Sequence, residues 1–231
     1  MKYLKGWCIC LICFSIWGSE VTNIEDIRED VLNAYGGQQF IDTKSLSCKG
    51  TISVAGSPIK GKFYLDKKFP GQSLFRQFFP PDIENIMVLN GDIGSIKKPN
   101  TDWTELSDHE VRLLQNISVR EWVIGELKGK LEGKQEFKGI NYWVVRVQFE
   151  EIENLFYIEP NSFLVHYQFI QLTLNGHKSI REAHFSNFVK IRGVTFPKKI
   201  SQFANKQKIT LEFESFIINP TLDQKLFTIS K

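Results

Sequence analysis

Cysteine is scarce in this chain and unevenly placed. There are 4 cysteines in 231 residues. Cys8, Cys10 and Cys13 crowd the N-terminus, and Cys48 stands alone in the rest. One cysteine forms no internal disulfide and supplies no cysteine-rich zinc site. No HExxH, GxSxG, P-loop or GxGxxG pattern occurs, so the zinc-protease, α/β-hydrolase, nucleotide-phosphate and dinucleotide readings have no motif to rest on. His109, His166, His177 and His184 never form an i, i+4 helical pair. Charge of one sign is missing as well. The 29 Lys and Arg face 26 Asp and Glu for a net +3, and no basic run concentrates them, which argues against a nucleic-acid partner. Only 16 Gly are present, which excludes collagen-like sequence. No apolar run is long enough to cross a bilayer as a helix, and no repeat of fixed period is seen. What the chain does have is apolar and aromatic bulk. The hydrophobic fraction is 42%, with 19 Phe and 5 Trp. That is too much for a disordered chain and enough to bury a sizeable core.

The N-terminus reads as a leader. Lys2 and Lys5 precede an uncharged, mostly apolar run from Trp7 to Trp17, followed by the small residues Gly18 and Ser19. This is the plan of a secretory signal peptide over residues 1–19, cleaved after Gly18 or Ser19. An uncleaved anchor is the alternative. Lipidation is not expected, because Ile9 and Ile12 are too bulky for the position before Cys10 or Cys13. Without residues 1–19 the chain keeps 27 basic and 26 acidic residues and is nearly neutral. Cys48, in an alternating apolar stretch, is expected to be a buried core thiol.

Two helices are predicted. Thr22-Asn23-Ile24-Glu25 has capping-box spacing, Ile24, Ile27, Val31, Ala34 and Tyr35 fall near one face, and Gly36-Gly37 ends the run. Ser107-Asp108-His109-Glu110 starts a second helix, continued by Val111, Leu114, Ile117 and Trp122. Most of the remainder alternates as strands do. Trp143, Val145, Val147 and Phe149 share a face, as do Ile209, Leu211, Phe213 and Ile217, and Val194, Phe196 and Ile200. Turn signals at Gly56-Ser57-Pro58, Pro70-Gly71, Asn90-Gly91, Asn175-Gly176 and Arg192-Gly193 separate the runs. The reading is one domain: a curved antiparallel sheet of about ten strands with helices laid on it. Two such helices cannot cover so large a sheet. The uncovered apolar face must pack on itself or hold a hydrophobic ligand. Glu182 and His184 share a strand face and could exchange a proton, but no nucleophile accompanies them. Asn116-Ile117-Ser118 matches a glycosylation acceptor, a pattern too short to carry weight.

Several segments, taken in order, resemble one family. Ala34-Tyr35-Gly36-Gly37 after the first helix and Gly50-Thr51-Ile52 in the first strand are followed by Tyr157-Ile158-Glu159-Pro160-Asn161-Ser162-Phe163-Leu164. Then come Phe185 and Phe188, Gly193-Val194-Thr195-Phe196-Pro197-Lys198-Lys199-Ile200, and Ile218-Asn219-Pro220-Thr221-Leu222 with Leu226-Phe227. Their order and spacing resemble the outer-membrane lipoprotein-sorting proteins, the LolA-like and LolB-like group. The middle, Pro80 to Gly133, carries no matching motif. The resemblance implies a mainly β fold, an open antiparallel half-barrel of about 10–11 strands with two or three helices as a lid, over residues 20–231. It implies an exported, periplasmic, non-enzymatic and monomeric protein that needs no cofactor or metal. It would bind lipid or lipoprotein acyl chains in a concave apolar cavity. Its partners would be an inner-membrane release complex or an outer-membrane acceptor. A sensor or protein-interaction module of the same fold is the alternative. A closed lipocalin-type barrel lacks its Gly-x-Trp signature near the first strand. The residues expected to line the cavity, on one face of successive strands, are Phe63, Leu65, Trp143, Val145, Val147, Phe156, Phe169, Phe196 and Phe213.

Overall fold

The computed structural model describes residues 23–115, 118–174, 177–204 and 207–228; the predicted leader and the Asn116 acceptor lie outside them. The first helix, α1 (Ile24–Tyr35), starts one residue later than the capping-box spacing suggested. Asn23 is its cap, its side chain accepting from the Asp26 amide at 2.9 Å. Gly36 ends the helix with φ of 124°. A side chain there would strike the Gly193 carbonyl, so glycine at this position lets the helix end dock on a sheet turn. A short helix, α2 (Gln38–Ile41), leads into the sheet.

The strands are β1 (Ser45–Val54), β2 (Lys60–Lys68), β3 (Gln72–Phe79), β4 (Ile83–Asn90), β5 (Ile93–Lys97) and β6 (Trp103–Glu105), then β7 (Gly129–Phe137), β8 (Ile140–Phe149), β9 (Ile152–Ile158), β10 (Val165–Leu174), β11 (His177–Ile191), β12 (Val194–Ala204) and β13 (Gln207–Ile218). They form one open antiparallel sheet of 13 strands, in the order β6-β5-β4-β3-β2-β1-β13-β12-β11-β10-β9-β8-β7. Two meanders of hairpins meet where β1 pairs with β13. The consecutive strands β6 and β7 therefore lie at opposite edges. The chain between them has to cross a face of the sheet, and it does so as α3 (Asp108–Gln115) and α4 (Val119–Val123). The Ser107–Glu110 capping box forms, with the Glu110 carboxylate 2.9 Å from the Ser107 amide. The predicted second helix is split, however. Trp122 belongs to α4, which Ser118 caps separately. The architecture is the expected one, with more strands than the turn signals separated and with α2 and α4 added.

The described helices share one face, here called inner. Ile27, Val31 and Tyr35 of α1 and Trp122 and Val123 of α4 form a core with Val145, Val147, Phe156, Ile158 and Val165. At the other flank, Leu106 and Val111 crowd Gly94 of β5. On the outer face, a 3₁₀ turn (Gln224–Phe227) buries Phe227 against Leu74 and Val88.

Arg120 ties this helical cover to the chain entering the sheet. It is buried, and its guanidinium donates to the carbonyls of Phe40, Ile41 and Thr43 at 2.5, 3.1 and 3.3 Å. Its plane also lies 4.5 Å from the Phe69 ring centre and 5.1 Å from that of Phe40.

Candidate apolar binding site

Between the two helical flanks the inner face carries a second apolar cluster. Cys48, Ile52, Phe63 and Phe213 form its buried centre, with Leu65, Phe75, Phe79, Ile200, Ile209, Leu211 and Phe216 partly buried around it. No helix residue belongs to it. These residues come from β1, β2, β3, β12 and β13, the middle of the sheet. Register explains how they share a face. Cys48 lies opposite Leu65 and Phe216, Gly50 opposite Phe63 and Phe213, and Ile52 opposite Leu211. Leu65 then faces Phe75, and Ile200 faces Leu211.

Five rings make a continuous run across this floor. Phe75 to Phe63 is 5.9 Å between centroids, Phe63 to Phe213 is 5.0 Å, Phe213 to Phe216 is 5.1 Å and Phe216 to Phe196 is 4.7 Å. These are ordinary spacings for aromatic pairs. Phe63 and Phe213 stand on strands separated by β1. They touch because Gly50 lies between them, where a Cβ would meet the Glu212 carbonyl and come within 2.9 Å of the Phe63 ring. Cys48, beside this run, has its thiol pKa pushed up to about 12 by burial and then by Asp66. It is a core thiol at neutral pH, as expected from its position.

The nine residues expected to line a cavity divide into three groups. Phe63, Leu65, Phe196 and Phe213 meet on the floor. Val145, Val147 and Phe156, with Trp143 packed beside them, are on the same face but serve the helix-covered core. Phe169 requires a correction, because it lies on the outer face. Its neighbour Gln168 pairs with inner-facing Phe156, and Phe169 pairs with Leu155. Its ring packs on Phe137 and Tyr157 at 5.6 and 5.2 Å. Ile217 is also outer, although alternation groups it with Leu211 and Phe213. The register shifts between Lys49 and Gly50, leaving Glu214 as an extra residue in β13 and turning Ile217 away from the floor. Phe75 and Phe216 were missed by alternation. Phe75 sits in a run without period two, and Phe216 lies beyond the bulge.

The outer face has an aromatic assembly of its own. Phe137 is 4.9 Å from Tyr167, His184 stacks on Tyr167 at 4.5 Å, and His166 stacks on Phe188 at 5.5 Å. The Lys138 ammonium lies 4.5 Å from the Tyr167 ring centre and 3.5 Å from Glu182. Burial lowers the pKa of both histidines, and for His184 the Lys138 charge adds to it. A histidine lowered in the folded state binds protons more weakly there than in the unfolded chain. Its stabilising share is complete above the unfolded value, about 6.5, and is lost as pH falls through the folded value. Thermal unfolding should therefore show Tm falling between pH 7.5 and 5.5, above the range in which carboxylates titrate. The His166→Asn/His184→Asn double variant should flatten that slope.

An open depression of about 420 Å³ lies at the β3–β4 tip, bordered by Lys60, Lys62, Phe78 and the turn through Pro80 and Pro81. It is at the rim of the sheet and meets the inner-face cluster at Phe79, away from the five-ring run. Among the described residues no group of three His, Cys, Asp or Glu could hold a metal ion.

No protein-family model and no curated protein sequence matches the chain. Solved structures do. A LolA superfamily protein from Nitrosomonas europaea superposes with a TM-score of 0.63 at 14% identity, covering 90% of this chain and 98% of its own. A DUF1329 family protein from Desulfovibrio piger gives 0.64 at 11% identity, with 89% and 97% covered. A domain from Vibrio parahaemolyticus named for outer membrane lipoprotein sorting gives 0.58 at 7% identity, with 88% and 95% covered. The open antiparallel sheet with its helices on one face is a LolA-like fold.

Proposed function

We propose that this protein is an exported, cell-envelope carrier that holds lipid or lipoprotein acyl chains on its inner face and performs no catalysis. The observation behind this reading is the five-ring floor, whose cluster includes no helix residue and in which Phe75, Phe196 and Phe216 are partly exposed around the buried Phe63 and Phe213. Of the nine expected residues, Leu65 and Phe196 would meet the chain directly, with Phe63 and Phe213 buried beneath them. Burying a CH₂ group is worth about 0.8 kcal/mol, so a chain with roughly ten of them gains ~8 kcal/mol gross, before the entropy cost of association. No charged or reacting group is needed for that gain. The leader predicted over residues 1–19 and the sorting name of the Vibrio parahaemolyticus neighbour support an envelope location. Delivery then requires a release complex at the inner membrane or an acceptor at the outer one.

Native mass spectrometry tests the reading on mature protein purified without detergent from a periplasm. The expected result is a mass excess of several hundred daltons that organic extraction removes. A clean apo mass, unchanged after incubation with phospholipid vesicles, would overturn the carrier reading in favour of an interaction module. Crosslinking in the envelope would then look for its protein partner.

A further inference from the structure

The depression at the β3–β4 tip, of about 420 Å³, is within the size range of small-molecule sites. Side chains of both sheet faces border it. By register Lys60, Lys62, Phe78 and Glu84 are outer, whereas Phe79 and Ile83 are inner. The depression therefore links the two faces around the end of the sheet. From Phe79 inward the surface is apolar without a break. The Phe79 ring lies on Gly61, where a Cβ would come within 2.7 Å of it. Gly61 is opposite Ile52, Ile52 opposite Leu211, and Leu211 opposite Ile200. Ile83 is 42% exposed, and Phe79, Leu211 and Ile200 are half-buried. This row has apolar surface left to cover.

The charges around the depression are sorted by sign. Lys60 and Lys62 stand on β2, and Asp82 and Glu84 on the β4 side, with Phe78 of β3 between them. Lys62 and Glu84 each lie directly opposite Phe78. Their backbones are thus two strand spacings apart, roughly 9–10 Å. Among the described residues none of these four groups forms an ion pair. Lys60 is within electrostatic reach of Glu212, but Lys199 holds that carboxylate at 2.9 Å. Cations along one wall and carboxylates along the other do not suit a simple anion, which the carboxylates repel. They complement a head that carries both signs.

We propose that the depression receives the head of a glycerophospholipid bearing a phosphate and a primary ammonium. The phosphate lies toward Lys60 and Lys62, and the ammonium toward Asp82 and Glu84. An acyl chain passes over Phe79 onto Leu211 and Ile200. The inference rests on the carrier reading and names its ligand class.

The test is a competition read by native mass spectrometry. Delipidated mature protein is incubated with vesicles of equal parts phosphatidylethanolamine and phosphatidylglycerol with matched acyl chains, plus a minor share of diacylglycerol as the headless control. The expected result is at least threefold more phosphatidylethanolamine than phosphatidylglycerol bound. Asp82→Asn/Glu84→Gln should abolish that preference and leave diacylglycerol uptake within twofold. Lys60→Gln/Lys62→Gln should lower both phospholipids at least threefold relative to diacylglycerol. Lys60, Lys62 and Asp82 are exposed and Glu84 is half-buried, so both variants are expected to fold, and Tm checks this. Uptake without preference by the wild type, or a preference that survives the carboxylate variant, overturns the head assignment and leaves the floor reading intact. Displacement of bound lipid by equimolar glycerophosphoethanolamine, the head without its chains, does the same. Failure of the wild type to take up any of the three lipids overturns both.

Discussion

Trp122→Ala should destabilise the protein by about 3–5 kcal/mol, the usual cost of emptying a large aromatic site in a core. Trp122 is 1% exposed and lies stacked on Phe156 at 5.9 Å between centroids and 17° between planes. Its indole also lies against Gly129, where a side chain on the first residue of β7 would strike it. Helix α4 has 5 residues, too few to persist in water without packing. The tryptophan is thus what holds the crossing segment to the sheet near its β7 edge. Removing it opens a cavity and loosens that segment together. Chemical denaturation should show a lower midpoint with an unchanged slope. For a domain of this size the corresponding fall in Tm is roughly 6–20 °C. A loss under about 1 kcal/mol would mean that α4 is not integrated into the core.

Leu211→Glu should reduce acyl-chain loading at least tenfold, and Ile217→Glu should leave it within twofold of wild type. Both residues are on β13, and plain alternation places them on one face. The bulge separates them. Leu211 faces the floor opposite Ile52, whereas Ile217 faces out opposite Ser47 and is 55% exposed. A carboxylate at Leu211 must lose water against an acyl chain or keep the chain away. At Ile217 it stays hydrated. A tenfold change is about 1.4 kcal/mol, fewer than two CH₂ contacts at about 0.8 kcal/mol each, so the effect is within reach of one residue. The measurement is the lipid-bound fraction of each variant by native mass spectrometry, with Tm as the folding control. Equal loading in the two variants would remove the floor from the binding site.

The pair also shows where reading by period two stops. Alternation within Trp143, Val145 and Val147 was legible because β8 pairs with β9 without a bulge between those residues. The Ser107–Glu110 box was legible because it is made by residues three apart. Phe169 was not legible. Composition favours a phenylalanine inside and a glutamine outside, yet Gln168 is buried and donates to Asn154 at 2.9 Å. That hydrogen bond makes a polar pair acceptable on the inner face. The exchange on β10 rests on a residue 14 positions away, which no local pattern contains.

The Pro80–Gly133 stretch offered no familiar motif, but its strands are ordinary hairpins once paired with their neighbours. What the amino-acid sequence determined by itself is the set of local choices: strand or helix, where a cap forms, which side of an unbroken strand is apolar, and that apolar surface exceeds what short helices can hide. The tertiary structure alone decided which apolar sides became core and which became floor. That outcome depends on β6 and β7 lying at opposite edges of the sheet, so that the crossing segment covers the flanks and Gly50 lets Phe63 and Phe213 meet between them. These are contacts between residues far apart in the chain, and their energies exist only after the sheet has brought those residues together.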